Sequence, residues 1–155
     1  MKLSCLPVSY FPRILDGKMS VSQWAREAVE IGLDAIDISI LFLKSRDRDH
    51  LERLRAEIAE ARAKVCMVTT YPDFTHPKEE ERERQLDQLV SDVAAAAQLG
   101  AELVRVTAGQ AHPETGIEQG IEWVVTGLTR ALEAGERHHV KLVYENHARG
   151  TGWAY

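Results

Sequence analysis

Ile31-Gly-Leu-Asp-Ala-Ile-Asp-Ile-Ser39 recurs without a gap as Leu99-Gly-Ala-Glu-Leu-Val-Arg-Val-Thr107. Each copy places a glycine where a helix would end, an acid two positions on, and then a run that alternates like a strand. Composition alone does not produce that order twice, so the pair marks an internal helix-to-strand repeat.

The same punctuation extends outward in both directions. Ser20-Val-Ser-Gln23 reads as a capping box, followed by Val21, Trp24, Ala28 and Ile31 on one helical face. Asp49-x-x-Glu52 predicts the start of a second helix carrying Leu51, Leu54 and Ile58, and Pro77 suits the first turn of a third that runs to Gly100. Thr115-x-x-Glu118 predicts a fourth, with Ile117, Ile121, Val124, Leu128 and Leu132 forming its core face. Between them lie β-rich runs over residues 2–6, 35–40, 65–70, 103–107 and 141–145. Strands separated by whole helices return to the same end of a sheet, so the order βαβαβαβαβ predicts parallel pairing.

The 155 residues are expected to form a single domain over 1–155, with no low-complexity linker. The composition, 45% apolar and 28% charged, is that of an ordinary globular chain. No stretch reaches the roughly 18 uninterrupted apolar residues of a membrane span, so the expectation is a cytoplasmic protein with no membrane partner. A net charge of −5 gives no basic footprint and argues against nucleic-acid binding. Cys5 and Cys66 fit no metal-finger spacing and read as buried, reduced thiols. The run Lys78-Glu-Glu-Glu-Arg-Glu-Arg84 reads as the solvated start of the third helix, and Trp24 and Trp123 as core.

Strand parity locates the chemistry. With Ile36, Ile38, Val104 and Val106 under the helices, Asp37, Ser39, Arg105 and Thr107 face the other way. On strand five, Leu142 and Tyr144 go under the helices and Val143, Glu145 and His147 oppose them. A sheet covered by helices on both faces would show near-continuous apolar strands, so these interior charges favour a barrel with a polar upper layer. Pro12, Pro72, Pro77, Pro113, His76 and His112 all follow strands, on the loops that form the catalytic face of such a barrel. By position alone Glu145 is either a metal-binding or catalytic carboxylate or the structural partner of Arg105, and Arg105 binds a substrate anion or pairs with Asp37. His76 and His112 read as surface residues; His50, His138 and His139 lie near helix ends on the far side.

The Gly32-x-Asp-x-Ile-Asp37 junction, the strand Gly100-Ala-Glu-Leu-Val-Arg-Val106 leading to Gly109, and above all Leu142-Val-Tyr-Glu-Asn-His147 resemble the xylose-isomerase-like barrel superfamily, in its sugar phosphate isomerase/epimerase branch. The resemblance implies an incomplete (β/α)8 TIM barrel, strands one to five of eight. It implies that Glu145 is a ligand to a divalent metal ion (Mn, Mg, Co or Zn) and moves protons beside a carbonyl of a sugar or sugar phosphate. Arg105, Asn146, His147 and Asp37 are then the candidate substrate-binding residues. The family's ligands on strands six, seven and eight have no counterparts in this sequence, so the chain by itself is expected to be inactive, with strands one and five as bare edges that invite self-association.

Two alternatives stand beside this expectation. An apurinic endonuclease of the three-zinc type shares the scaffold but would want a histidine at the end of strand three, where Thr70-Tyr71 stands. A non-enzymatic flavodoxin-like binding module would suit the length, but no phosphate-cradling glycine loop follows strand one, where Ser9 to Leu15 stand.

Overall fold

The computed structural model describes residues 1–146. The elements are β1 (Ser4–Cys5), α1 (Phe11–Leu15), α2 (Val21–Glu30), β2 (Ala35–Ser39), α3 (Arg48–Glu60), β3 (Val65–Thr69), α4 (Glu79–Gln98), β4 (Leu103–Val106), α5 (Ile117–His138) and β5 (Lys141–Tyr144). Short 3-10 turns at Val8–Tyr10 and Ile40–Phe42 follow β1 and β2.

Both copies of the repeat fold the same way. Gly32 and Gly100 adopt φ of 85° and 81°. In the first copy Leu33 N–H reaches back to Ala28 O at 2.9 Å and Gly32 N–H to Val29 O at 3.0 Å; in the second, Ala101 N–H bonds Ala96 O and Gly100 N–H bonds Ala97 O at 3.0 and 2.9 Å. These paired bonds satisfy carbonyls that a helix end leaves open, and they turn the chain into the next strand. The acid position then starts the pairing: Asp34 N–H donates to Leu3 O and Glu102 N–H to Cys66 O. Gly17 (φ 71°) makes the same turn after α1, with Lys18 N–H on Arg13 O, so glycine marks three of the five helix stops. The other two use Arg62 (φ 62°) and His139 (φ 57°), with Ala63 N–H on Ile58 O and Val140 N–H on Gly135 O completing the same turn.

All neighbouring strands are parallel, in the order β1-β2-β3-β4-β5. That sequential order is the order of a TIM barrel and rules out the flavodoxin-like arrangement, in which β1 lies inside β2. Ile36, Ile38, Val68, Val104 and Val106 are fully buried on the helix side, against residues such as Ala28, Leu51, Leu89, Val93, Ala96 and Ala131.

Several local expectations are corrected. Ser20 and Gln23 form the capping box as read, but α3 is entered at Asp47 and α5 at Gly116, without side-chain caps. Thr115 instead donates its hydroxyl to Thr75 O across two loops. Cys5 is exposed because β1 is an edge strand of two residues, and Cys66 is half-buried. Trp123 is half-exposed rather than core, with the Arg82 guanidinium 3.7 Å from its ring centre. Arg82 also donates to the carbonyls of His76 and Pro77, so one member of the charged run is structural. Ile117, Ile121 and Leu132 are exposed, because α5 turns Val124, Ala131 and Ala134 inward instead. Pro12 sits in the first turn of α1, a short helix hidden within a stretch that reads as loop.

The helix stops yield a paired prediction. Gly32→Ala, which meets no neighbouring atom, should lose about 1–2 kcal/mol from backbone strain alone. Arg62→Gly at the equivalent stop of α3 should gain up to about 1 kcal/mol, and urea unfolding of the two variants checks the opposite signs.

Candidate active site

Register partners on parallel strands point to the same side of the sheet. Ser39 pairs with Thr69 and Thr69 with Arg105, and Arg105 in turn with Val143, which sets a row across β2 to β5. Asp37 stands two residues below that row, and Tyr71 and Glu145 two above it, past the strand ends. The sequence-predicted residues Asp37, Arg105 and Glu145 thus share the face away from the main core.

Arg105 is the centre of the group. It is 6% exposed, and its Nη1 donates to Thr70 O at 3.3 Å. Its guanidinium lies 4.9 Å from the centre of the Tyr71 ring, and its Nε is 3.1 Å from Glu145 Oε2. This last contact is an ion pair without hydrogen-bond geometry, since Nε makes no hydrogen bond. Thr70 locks the backbone beneath by donating both its N–H and its hydroxyl to Arg105 O, at 2.8 and 2.9 Å. Glu145 is placed by its own N–H on Val106 O, the last rung of the β4–β5 ladder. Its carboxylate is half-exposed.

Arg105 therefore pairs with Glu145, and the pairing with Asp37 that the sequence also allowed does not form. Asp37 accepts one bond from the Ser4 hydroxyl at 3.2 Å through Oδ2, while Oδ1 is buried with no partner. Burial pushes its carboxyl above the ordinary range, only partly opposed by Ser4 and the Met67 backbone. Asn146 is exposed beside Glu145; His147 lies outside the described residues.

Two features escape the sequence. Tyr71 links three strands, its hydroxyl meeting Ser39 Oγ at 3.2 Å and Thr69 Oγ1 at 3.1 Å while its ring underlies Arg105. Its parity with Thr69 was the one available signal. Asp73 joins the β3–α4 and β4–α5 loops: Oδ2 meets His112 Nε2 at 2.8 Å, and Oδ1 accepts from Thr75 Oγ1 and Gln110 N–H. The His112 ring in turn stands edge-on to His76, centres 4.9 Å apart, so His112 is not the surface residue the sequence suggested. The loops meet so closely that a Cβ on Gly109 would fall 2.2 Å from Thr75 Oγ1 and 2.5 Å from Asp73 Oδ1. Among the described residues no three His, Cys, Asp or Glu side chains gather as a metal site.

A profile of the family described as xylose isomerase-like TIM barrel matches residues 25–154. The chain belongs to this family. A probable endonuclease 4 from Nitrosopumilus maritimus (strain SCM1) is 34% identical over 110 residues, which cover 68% of this chain and 38% of that protein. Two solved structures share the family's fold with it. A D-psicose 3-epimerase structure in the presence of D-fructose superposes with a TM-score of 0.80 at 12% identity, covering 98% of this chain and 54% of that one. An IolI protein with a bound zinc atom superposes with a TM-score of 0.72 at 16% identity, covering 93% and 51%. The chain thus spans about half the length, or less, of the family members it matches.

The raised Asp37 carboxyl fixes the sign of a pH effect. Between its unfolded and folded pKa values the native state holds the extra proton, so stability falls as pH rises through this window and the penalty persists above it. Asp37→Asn, which keeps an acceptor for Ser4, should therefore raise Tm at pH 7, and the gain should shrink as pH falls toward the unfolded carboxyl pKa of about 3.9. Thermal melts from pH 7 to pH 4 measure it.

Proposed function

We propose that this chain forms one wall of an isomerase or epimerase site for a sugar or sugar phosphate, with Glu145 moving the proton on the carbon beside a carbonyl. The observation that carries the reading is the setting of Glu145: a carboxylate at a strand end, half-exposed, held through Oε2 by a buried arginine. A general base must be oriented yet able to reach its proton, and Oε1 has no partner among the described residues. Arg105 has donors enough to orient Glu145 and also meet a carbonyl oxygen, a hydroxyl or a phosphate. Asn146, beside Glu145, and His147, next in the sequence, would bind substrate hydroxyls, and Asp37 lies deeper on the same face. The superposition on a D-psicose 3-epimerase supports this reading.

A divalent cation, when bound, would polarise the substrate carbonyl and stabilise the enediolate. Glu145 suits it as one oxygen donor, and the zinc in the IolI structure supports a cation in this fold. The four to eight donors such ions take are not gathered among the described residues, so a complete cation site requires donors beyond them.

A second reading, phosphodiester cleavage in nucleic acid, draws on the 34% identity to the probable endonuclease 4. The net charge of −5 opposes it.

Solvent exchange tests the first reading. In D2O with Mn2+, any deuterium that a panel of ketohexoses and their phosphates gains beside the carbonyl, read by NMR, should fall about 10²-fold or more in Glu145→Gln. Calorimetric titration of Mn2+ into the wild type and Glu145→Ala needs no turnover from a chain expected to be inactive by itself; exchange or Mn2+ binding that is indifferent to Glu145 overturns the reading. Cleavage of an abasic-site duplex that depends on Glu145, in the absence of sugar exchange, would establish the second reading instead.

A further inference from the structure

Beside the strand ends, an open cleft of about 250 Å³ lies between the loop after β2, the loop after β3 and the side of α4. Every described residue that lines it falls between Ile40 and Asp92. Leu41, Tyr71, Pro72 and Leu89 make its apolar walls, and Arg46, Gln88 and Asp92 its polar floor.

That floor is unusual. Asp92 is 4% exposed in the middle of α4, where an apolar side chain would pack at lower cost. Arg46 Nε and Gln88 Nε2 both donate to one oxygen, Oδ1, at 2.6 and 2.9 Å. Among the described residues, no hydrogen bond is made to Oδ2, by the Arg46 Nη groups or to Gln88 Oε1. Burial also raises the Asp92 carboxyl above its usual range, against the opposing effects of Gln88 and Arg46.

The chemistry of a ligand follows from these free valences. The carboxylate and guanidinium cancel, so an anion would be repelled by Asp92 and a cation by Arg46. A vicinal diol fits both: one hydroxyl donates to Oδ2 while its neighbour accepts from an Arg46 Nη–H. The Tyr71 ring and Pro72 offer an apolar wall to the C–H face of a sugar ring. The volume lies below the usual pocket range of about 300–1,000 Å³, which suits one ring and excludes a nucleotide. We propose that this cleft binds a neutral polyhydroxylated ligand, a single pyranose ring, separately from the reaction at Glu145. The two sites share the Thr70–Tyr71 segment, whose other contacts hold Arg105.

Methyl β-D-glucopyranoside is the probe, because it has no carbonyl and cannot be a substrate of an isomerase, and EDTA removes any metal from the Glu145 site. Titrated into the ¹⁵N-labelled chain, it should shift the Gln88 side-chain amide and the Tyr71 backbone amide saturably, with a Kd of about 1–10 mM. Asp92→Asn should weaken binding about tenfold or more. Leu41→Trp, on a residue 56% exposed where folding is not at risk, should fill the cleft and abolish the shifts. Glu145→Ala should bind as the wild type does. Shifts that do not saturate, that survive Leu41→Trp, or that inorganic phosphate produces in place of the glycoside overturn the proposal. Because metal and carbonyl are both absent, that failure is separate from any failure of the isomerase reading.

Discussion

The guanidinium of Arg105 is taken out of water near the top of a parallel sheet, and a charge in that position has to be met from several directions at once. Thr70 supplies a carbonyl, Tyr71 a ring face and Glu145 a countercharge. Each of these depends on something further out. Tyr71 is anchored by Ser39 and Thr69 on two strands, and Glu145 by the last backbone bond of the β4–β5 ladder. One buried arginine on β4 therefore coordinates residues from β2, β3 and β5, and the polar face of the sheet is organised around its needs. In the proposed reaction Glu145 would be at once a structural partner and a reagent: a substrate group that engaged Arg105 would change the hold on the carboxylate beside it.

Much of this was legible in the chain. The strands begin and end within two residues of their predicted limits, because alternation in residues 35–39 and 103–106 is bounded by helix stops that glycine announces. Parity alone put Asp37, Arg105 and Glu145 on one face. The two stops without glycine could not be read, since nothing in Arg62 or His139 as residue types signals a left-handed backbone. Tyr71 and Asp73 were missed for another reason: their importance lies in partners on other strands and loops, which no local period encodes. Helix α5 shows a third limit. Apolar residues lie around more than one side of it, and the period cannot say which side the sheet will take; the sheet took Val124, Ala131 and Ala134.

The two candidate binding places differ in how they are made. The face around Glu145 is assembled from strand ends, so each of its side chains belongs to a different β/α unit. The cleft around Asp92 belongs to two adjacent loops and one helix. The first is suited to chemistry that acts on several atoms of a substrate from several sides, and the second to recognition of a compact group. Thr70 and Tyr71 are common to both, and the main-chain bonds from Thr70 to Arg105 O make that segment stiff.

Sequential strand order has a consequence for how the chain comes into being. Among the described residues each strand pairs with the strands immediately before and after it in the chain, and the most distant register partners are the four that join β4 to β5, from Leu103–Lys141 to Val106–Tyr144. No pairing among them waits for a remote segment. During synthesis each β/α unit can dock on the edge left by its predecessor as it emerges, so the sheet grows in the direction of translation and the most recently made strand is always its open margin.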